Sequence, residues 1–175
     1  PKKSFEDGKF RILAVSNVWN KEKGIDDIYK LSEILSSDYQ ITIVGLSEKQ
    51  FKNLPRGIIG IQRTQNIQEL VDLYSESDVL INPTYADTFP TVNLEALACG
   101  TPIITYRTGG SPEAIDEKSG MVVEQGDIKG IIAALRRMKD FPFLVEDCRK
   151  RVEIFFEKDK CFERYVNLYS DLIVQ

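Results

Sequence analysis

Six short runs of nearly continuous apolar residues, alternating with segments whose apolar residues recur three and four apart, dominate this sequence. The runs are Phe10–Val15, Tyr39–Leu46, Gly57–Ile61, Asp78–Asn82, Pro102–Tyr106 and Met121–Glu124. Short continuous apolar runs of this kind read as strands buried on both faces. Ile25, Ile28, Leu31, Ile34 and Leu35 mark a first helix, and Ile67, Leu70, Val71 and Tyr74 another. A short polar helix over Glu48–Asn53 stops at Leu54-Pro55. Asp127 caps a helix to about Lys139, and Phe143–Phe156 and Lys158–Ile173 read as two more. Strands alternating with helices predict an α/β fold with a parallel sheet, and right-handed crossovers make it doubly wound. The expected sheet has six strands in the order 3-2-1-4-5-6, helices on both faces and a C-terminal helical segment. Strands one and four are then neighbours, and a ligand crevice lies beyond their carboxyl ends. The loops there are Ser16–Gly24 and Thr84–Pro90.

The second of these loops opens the stretch Tyr85 to Gly100, which carries most of the chemistry. Pro90 suits the first turn of a helix, where a missing N–H costs nothing. Gly100, followed by Thr101-Pro102, stops that helix. A helix start at the end of a buried strand presents backbone N–H groups and a positive dipole end, which suits an anion such as phosphate. Asp87 lies in the loop and Glu95 follows within the helix, so the two carboxylates can flank one ligand; a solvated Asp and a surface Glu are the plainer alternative. Across the crevice the first loop offers Lys21 and Lys23. A cation, a helix start and two carboxylates suit a ligand with phosphates at one end and hydroxyls at the other. Lys23 would neutralise phosphate, and Glu95 would accept from sugar hydroxyls, each charge-assisted bond being worth roughly 1.5–3 kcal/mol. An exposed loop lysine beside a glycine turn is the plainer account of Lys23.

Composition narrows the partners. A chain of 175 residues can enclose one domain with a sizeable core. Its net charge of −4, without a long Lys/Arg run, argues against nucleic acid. The absence of histidine removes the commonest metal ligand and general base. Three cysteines, Cys99, Cys148 and Cys161, fit no metal knuckle and read as reduced cytosolic thiols. No apolar stretch reaches the roughly 18 residues of a membrane span, and no signal peptide is visible. Residues 1–9 read as a linker remnant, with the domain expected over 10–175. No strand is followed by the G-x-G-x-x-G of a dinucleotide site, and there is no P-loop. Gly109-Gly110 reads as a turn rather than as a phosphate cradle.

The run Phe89-Pro90, four residues, then Glu95-Ala96-Leu97-Ala98-Cys99-Gly100-Thr101-Pro102-Ile103-Ile104-Thr105, followed by Gly109-Gly110-Ser111-Pro112-Glu113, resembles the C-terminal domain of retaining GT-B glycosyltransferases of family 4. Those enzymes often show E-x-F-G-x4-E-A-x-A-x-G-x-P-V-I and then G-G-x-x-E. Lys23-Gly24 resembles their Lys-Gly pair, and Asp78 to Thr84 their strand before the acidic motif. The resemblance covers about Phe10 to Glu124, and the motifs fall in the family's order. Ser16-Asn17-Val18-Trp19 and Asn93 to Gly100 are similar to bacterial surface-polysaccharide enzymes.

The resemblance implies a Rossmann-like domain that binds a nucleoside-diphosphate sugar, UDP- or GDP-linked, as half of a two-domain enzyme. Glu95 matches the family's ribose-holding Glu. Asp87 matches the Glu beside the reacting carbon of the donor sugar, and Lys23 the lysine that stabilises the leaving diphosphate. The backbone of Phe89, Pro90, Thr91 and Val92 matches the helix start that binds diphosphate and sugar. No metal or other cofactor is implied, because lysine and helix dipole balance the charge. The acceptor, a saccharide or a lipid-linked one, would bind an N-terminal domain outside this chain. The whole enzyme would act in the cytoplasm, with a lipid-linked acceptor placing it at the inner membrane face, in capsule or lipopolysaccharide synthesis. Departures from the pattern are Asp87 for Glu, Pro90 for Gly, and no Arg shortly before Lys23, where Ser16 and Asn17 stand and Lys21 is the nearest substitute. These favour a second reading, a non-catalytic nucleotide-binding or scaffold module of the same fold. Epimerases and phosphorylases of similar fold rank last, since they lean on a histidine or a cofactor lysine missing here. Arg63 and Thr64 either touch the base or form a plain loop. Phe155, Phe156 and Phe162 either meet the missing domain or pack the local helix pair.

Overall fold

The structure, a computed structural model, describes residues 7–173. Residues 1–6 of the expected linker lie outside the described residues. The strands are β1 (Phe10–Val15), β2 (Tyr39–Val44), β3 (Ile58–Ile61), β4 (Val79–Asn82), β5 (Ile103–Tyr106) and β6 (Gly120–Val123). The helices are α1 (Ile25–Ile34), α2 (Glu48–Lys52), α3 (Ile67–Glu76), α4 (Thr91–Ala98), α5 (Ile128–Asp140), α6 (Val145–Phe155) and α7 (Lys158–Ile173), with a 3-10 turn at Ser111–Ala114. The sheet runs β3-β2-β1-β4-β5-β6, and each neighbouring pair is parallel. This is the doubly wound, Rossmann-like arrangement that the alternation predicts.

The continuous apolar runs follow from burial on both faces. Ile12 and Ala14 of β1, with Val79 and Ile81 of β4, point to one side, where Ile28 and Leu31 of α1 and Ile131, Leu135 and Met138 of α5 complete a core. Leu13 and Leu80, one residue out of phase, point to the other side, against Tyr74 of α3, Ala96 and Leu97 of α4 and Cys148 of α6. A strand that feeds two cores has no polar face to spare.

Element ends differ by a few residues from the periodicity. β2 stops at Val44 because Gly45 takes φ 95°, and a Cβ there would overlap the Ser16 carbonyl. The helix after the acidic loop starts at Thr91, with Pro90 as its N-cap at ψ 115°, outside the first turn. A cap residue keeps extended ψ while its carbonyl already accepts from the helix, here from the Asn93 N–H at 3.2 Å. Its end is a Schellman closure: Gly100 at φ 81° donates to Leu97 O at 2.8 Å, and Thr101 N to Ala96 O at 2.9 Å. α7 buries no residue. Among the described residues no helix is long and apolar enough to cross a membrane, and the three cysteines form no disulfide.

Candidate functional site

β1 and β4 are paired through Ile12–Val79 and Leu13–Leu80, so the loops leaving their carboxyl ends lie side by side. Backbone closeness locks them together. Gly24, at φ 74°, caps α1 where a Cβ would overlap the Pro83 carbonyl oxygen. Tyr85 N donates to Glu22 O at 2.7 Å, and the Thr84 hydroxyl donates to Glu22 O at 3.2 Å. On the other flank, a Cβ on Gly109 would overlap Asp87 O, and one on Gly110 would overlap Thr88 O. Gly110 N instead donates to Thr88 O at 2.8 Å. The Gly109-Gly110 pair therefore forms the turn that its sequence suggests, and that turn supports the acidic loop.

The cleft between the loops encloses about 450 Å³. Lys23 Nζ lies 2.6 Å from Asp87 Oδ2, with the two side chains 32% and 18% exposed, so the cation and the loop carboxylate form a half-buried ion pair at the mouth. Glu95 lines the same cleft from α4, and its Oε2 accepts from the Tyr74 hydroxyl at 3.0 Å. Phe89, Pro90, Thr91 and Val92 line it at the helix start. No side chain caps α4, which leaves N–H groups of its first turn without a capping partner. Asn17 lines the cleft as well. Of the residues that the sequence singles out, Lys21 and Arg63 are not brought here. Lys21 borders a separate opening with Glu22, Asp26 and Lys30. Arg63 is exposed after β3 and does not line the cleft. Lys23 is thus the one cation lining the cleft among the described residues.

Several supporting groups escape sequence reading. Asp27, in the first turn of α1, is 3% exposed. It accepts from the Tyr85 hydroxyl at 2.6 Å, the Tyr106 hydroxyl at 2.9 Å and Lys30 Nζ at 3.0 Å. Burial works against its charged form, but the bonds from Tyr85, Lys30 and Tyr106 outweigh it and hold the carboxyl below the ordinary range. Burial, followed by the Asp27 contact, pushes the Tyr106 hydroxyl far up. Asp27 thereby ties α1 to β5 and to the acidic loop through Tyr85. Trp19 is buried; its Nε1 donates to Val44 O at 2.8 Å, and Gln50 of the α2 capping box donates to its carbonyl at 2.9 Å. These contacts anchor the loop that carries Asn17. Their only trace in the sequence is residue type: the aromatic residues Trp19, Tyr85 and Tyr106 and the acid Asp27.

The aromatic residues after α6 divide. The Phe156 ring packs on Phe89 at 5.7 Å, with Arg151 over it at 5.5 Å, while Arg151 also donates to Glu113 O and Ala114 O at 2.8 and 3.3 Å. Phe156 therefore belongs to the packing behind the acidic loop. Phe155 and Phe162 remain exposed, under Arg151 and Lys158 respectively. Among the described residues no group of three or more His, Cys, Asp or Glu could hold a metal ion.

Several known proteins that this chain resembles are glycosyltransferases. The chain is 25% identical over 167 residues to the capsular polysaccharide biosynthesis glycosyltransferase CapM of Staphylococcus aureus, covering 87% of this chain and 44% of that protein. It is 33% identical over 132 residues to the D-inositol 3-phosphate glycosyltransferase of an Arthrobacter species, covering 67% and 31%. The chain therefore spans less than half the length of these curated relatives. Among solved structures, sucrose-phosphate synthase of Thermosynechococcus elongatus superposes with a TM-score of 0.79 at 23% identity, over 95% of this chain and 46% of that one. Anabaena HepE, solved in complex with UDP and glucose, does so with 0.77 at 13% identity, over 93% and 48%. These two likenesses are of fold, that of the Rossmann-like half of GT-B enzymes. Residues 9–140 match the family model described as glycosyl transferases group 1, and the chain belongs to that family.

Proposed function

We propose that this chain is the donor-binding half of an enzyme that moves a sugar from a nucleoside diphosphate to a saccharide or lipid-linked acceptor with retention. The observation that carries the reading is the convergence of Lys23, Asp87, Glu95 and the uncapped start of α4 on one cleft at the carboxyl ends of β1 and β4. In this reading the first turn of α4, Phe89 to Val92, and Lys23 hold the diphosphate. Their positive charge favours the leaving group as it departs, and preorganised stabilisation of developing charge commonly supplies most of the rate enhancement in transfer chemistry. Glu95 accepts from ribose hydroxyls. Asp87 reaches the donor sugar beside the reacting carbon once the diphosphate has taken Lys23 from it. Lysine and helix dipole supply the countercharge, so the proposed chemistry is metal-independent. HepE, solved with UDP and glucose, supports a nucleotide-sugar donor. CapM, a capsule glycosyltransferase, supports a polysaccharide product. The acceptor would enter through a second domain, and a lipid-linked acceptor would bring the enzyme to the cytoplasmic membrane face.

A second reading, a non-catalytic nucleotide-binding module, is favoured by one observation: the cation lining the cleft is already paired, with Asp87. Titrating the 175-residue chain with UDP, GDP, CDP and ADP, beside a Glu95→Gln variant, tests the shared part of both readings. Half a site should bind near millimolar, about −4 kcal/mol, with one base preferred and Glu95→Gln weaker. Lack of binding by all four would overturn the donor-site assignment. Turnover of a nucleotide sugar by the intact two-domain protein separates the transferase from the module.

A further inference from the structure

Glu95 is an exposed carboxylate on an eight-residue helix, and water alone could satisfy it. Its partner, in contrast, is among the most buried side chains of the molecule. Tyr74, in the last full turn of α3, is 1% exposed, and its hydroxyl reaches through the second core to donate to Glu95 Oε2 at 3.0 Å. The backbone of Tyr74 is held as tightly. Its carbonyl accepts from the buried Thr101 hydroxyl at 2.6 Å and from Ser77 N at 3.1 Å. Thr101 belongs to the Schellman closure of α4. The ends of α3 and α4 are thus locked together, and the phenol projects from that lock to the carboxylate.

We propose that Tyr74 is a positioning residue for Glu95, holding one carboxylate oxygen so that the other is aimed at a ribose hydroxyl of the bound nucleotide, and that the pair makes the cleft prefer ribonucleotides over 2′-deoxyribonucleotides. The inference rests on the donor-site reading above. An ionised carboxylate only accepts hydrogen bonds, so one fixed donor on Oε2 removes rotational freedom without using up the second oxygen. Burial, then the neighbouring Glu95 charge, pushes the Tyr74 hydroxyl far above its ordinary range. It therefore stays a donor at every working pH. A carboxylate already oriented loses less freedom when a ligand hydroxyl arrives, and preorganisation of this kind raises affinity without a new contact.

The test compares the 175-residue chain with Tyr74→Phe, Glu95→Gln and the double variant, using UDP and 2′-deoxy-UDP as probes. Tyr74→Phe keeps the ring in the core and removes the hydroxyl alone, so the fold should survive, and a thermal melt checks this. UDP affinity should fall about three- to tenfold in Tyr74→Phe, as expected when binding must immobilise one more side chain, whereas 2′-deoxy-UDP should change less than about twofold. The double variant should match Glu95→Gln. A ligand-free readout separates the proposal from the reading beneath it: the Glu95 side-chain carbon, followed by NMR relaxation, should become more mobile in Tyr74→Phe, because the bond that fixes the carboxylate is lost. Unchanged Glu95 side-chain mobility overturns the positioning role by itself. Equal losses for UDP and 2′-deoxy-UDP, or additive losses in the double variant, overturn the ribose preference. Raised Glu95 mobility in Tyr74→Phe, with UDP binding indifferent to Glu95→Gln, overturns the donor-site reading and the preference built on it.

Discussion

Replacing Asp87 by Asn should strengthen the binding of a free nucleoside diphosphate, although it removes a polar contact from the cleft. Lys23 Nζ sits 2.6 Å from Asp87 Oδ2, so a diphosphate must take the cation from its carboxylate and then lie beside that carboxylate. Two unit charges roughly 6 Å apart interact by about 0.7 kcal/mol at the dielectric of water, and salt at physiological strength roughly halves this. A diphosphate with about two effective charges therefore meets close to 0.7 kcal/mol of repulsion from Asp87. Freeing Lys23 adds about 0.5–1 kcal/mol, the range for a partly exposed pair with side chains 32% and 18% accessible. Together these predict a gain of about 1–2 kcal/mol, or roughly five- to thirtyfold in Kd. Calorimetric titration of UDP into the chain and into Asp87→Asn, at low and at physiological salt, measures it, and the gain should be larger at low salt. Unchanged or weaker binding by the variant at both salt levels would refute the idea that the pair competes with the ligand. Sugar transfer by the intact enzyme should move the opposite way, because the carboxylate proposed to face the donor sugar is gone.

Other consequences of the geometry are open to direct measurement. Lys23→Ala in the intact enzyme should lower turnover by about 10²–10³-fold, the usual effect of losing one preorganised group at a developing charge; an unchanged rate would remove Lys23 from the leaving-group site. Gly24→Ala places a Cβ against the Pro83 carbonyl at positive φ, and should cost about 3 kcal/mol or more, visible as a drop of about 6–12 °C in Tm for a chain of this size. Asp27→Ala should cost about 1–3 kcal/mol by leaving the buried Tyr106 hydroxyl unpaired, a loss that denaturant melts should register as a lower midpoint. The Asp27 carboxyl lies below its ordinary 3.8 in the folded chain, so its contribution is complete above that value and is lost as pH falls through the lowered one. Asp27→Asn should accordingly flatten the acid limb of the stability curve.

Most of the architecture was legible from local pattern. β1 spans Phe10–Val15 as the apolar run does, and α7 spans Lys158–Ile173 as its spacing does. The strand order followed from alternation, because parallel neighbours need crossovers and the crossovers share one hand. Gly100 was readable as a stop because only a residue free to take positive φ closes a helix in that way. Lys23, Asp87, Glu95 and the Phe89–Val92 segment were readable as residues of one cleft because the loops after β1 and β4, and the helix that the second loop opens, are brought to one crevice by the topology. Those features are local: they depend on residue type and on neighbours no more than a few positions away.

Tertiary structure decided what depends on distant partners. Lys21 and Lys23 are cations of one loop, yet Lys23 faces the cleft and Lys21 a separate opening. The Gly24–Pro83 approach, set by β1 pairing with β4, holds that loop against its neighbour. Asp27 is an acid in the first turn of α1, and only the packing of α1 over β5 brings it to Tyr106. Tyr74 reads as one more apolar position on α3, and its bond to Glu95 exists because α3 and α4 lie side by side over the second core. Sequence periodicity reports which face of an element is buried. It carries no information on which polar tip, among those pointing inward, will meet a partner that the chain supplies 21 or 79 residues later.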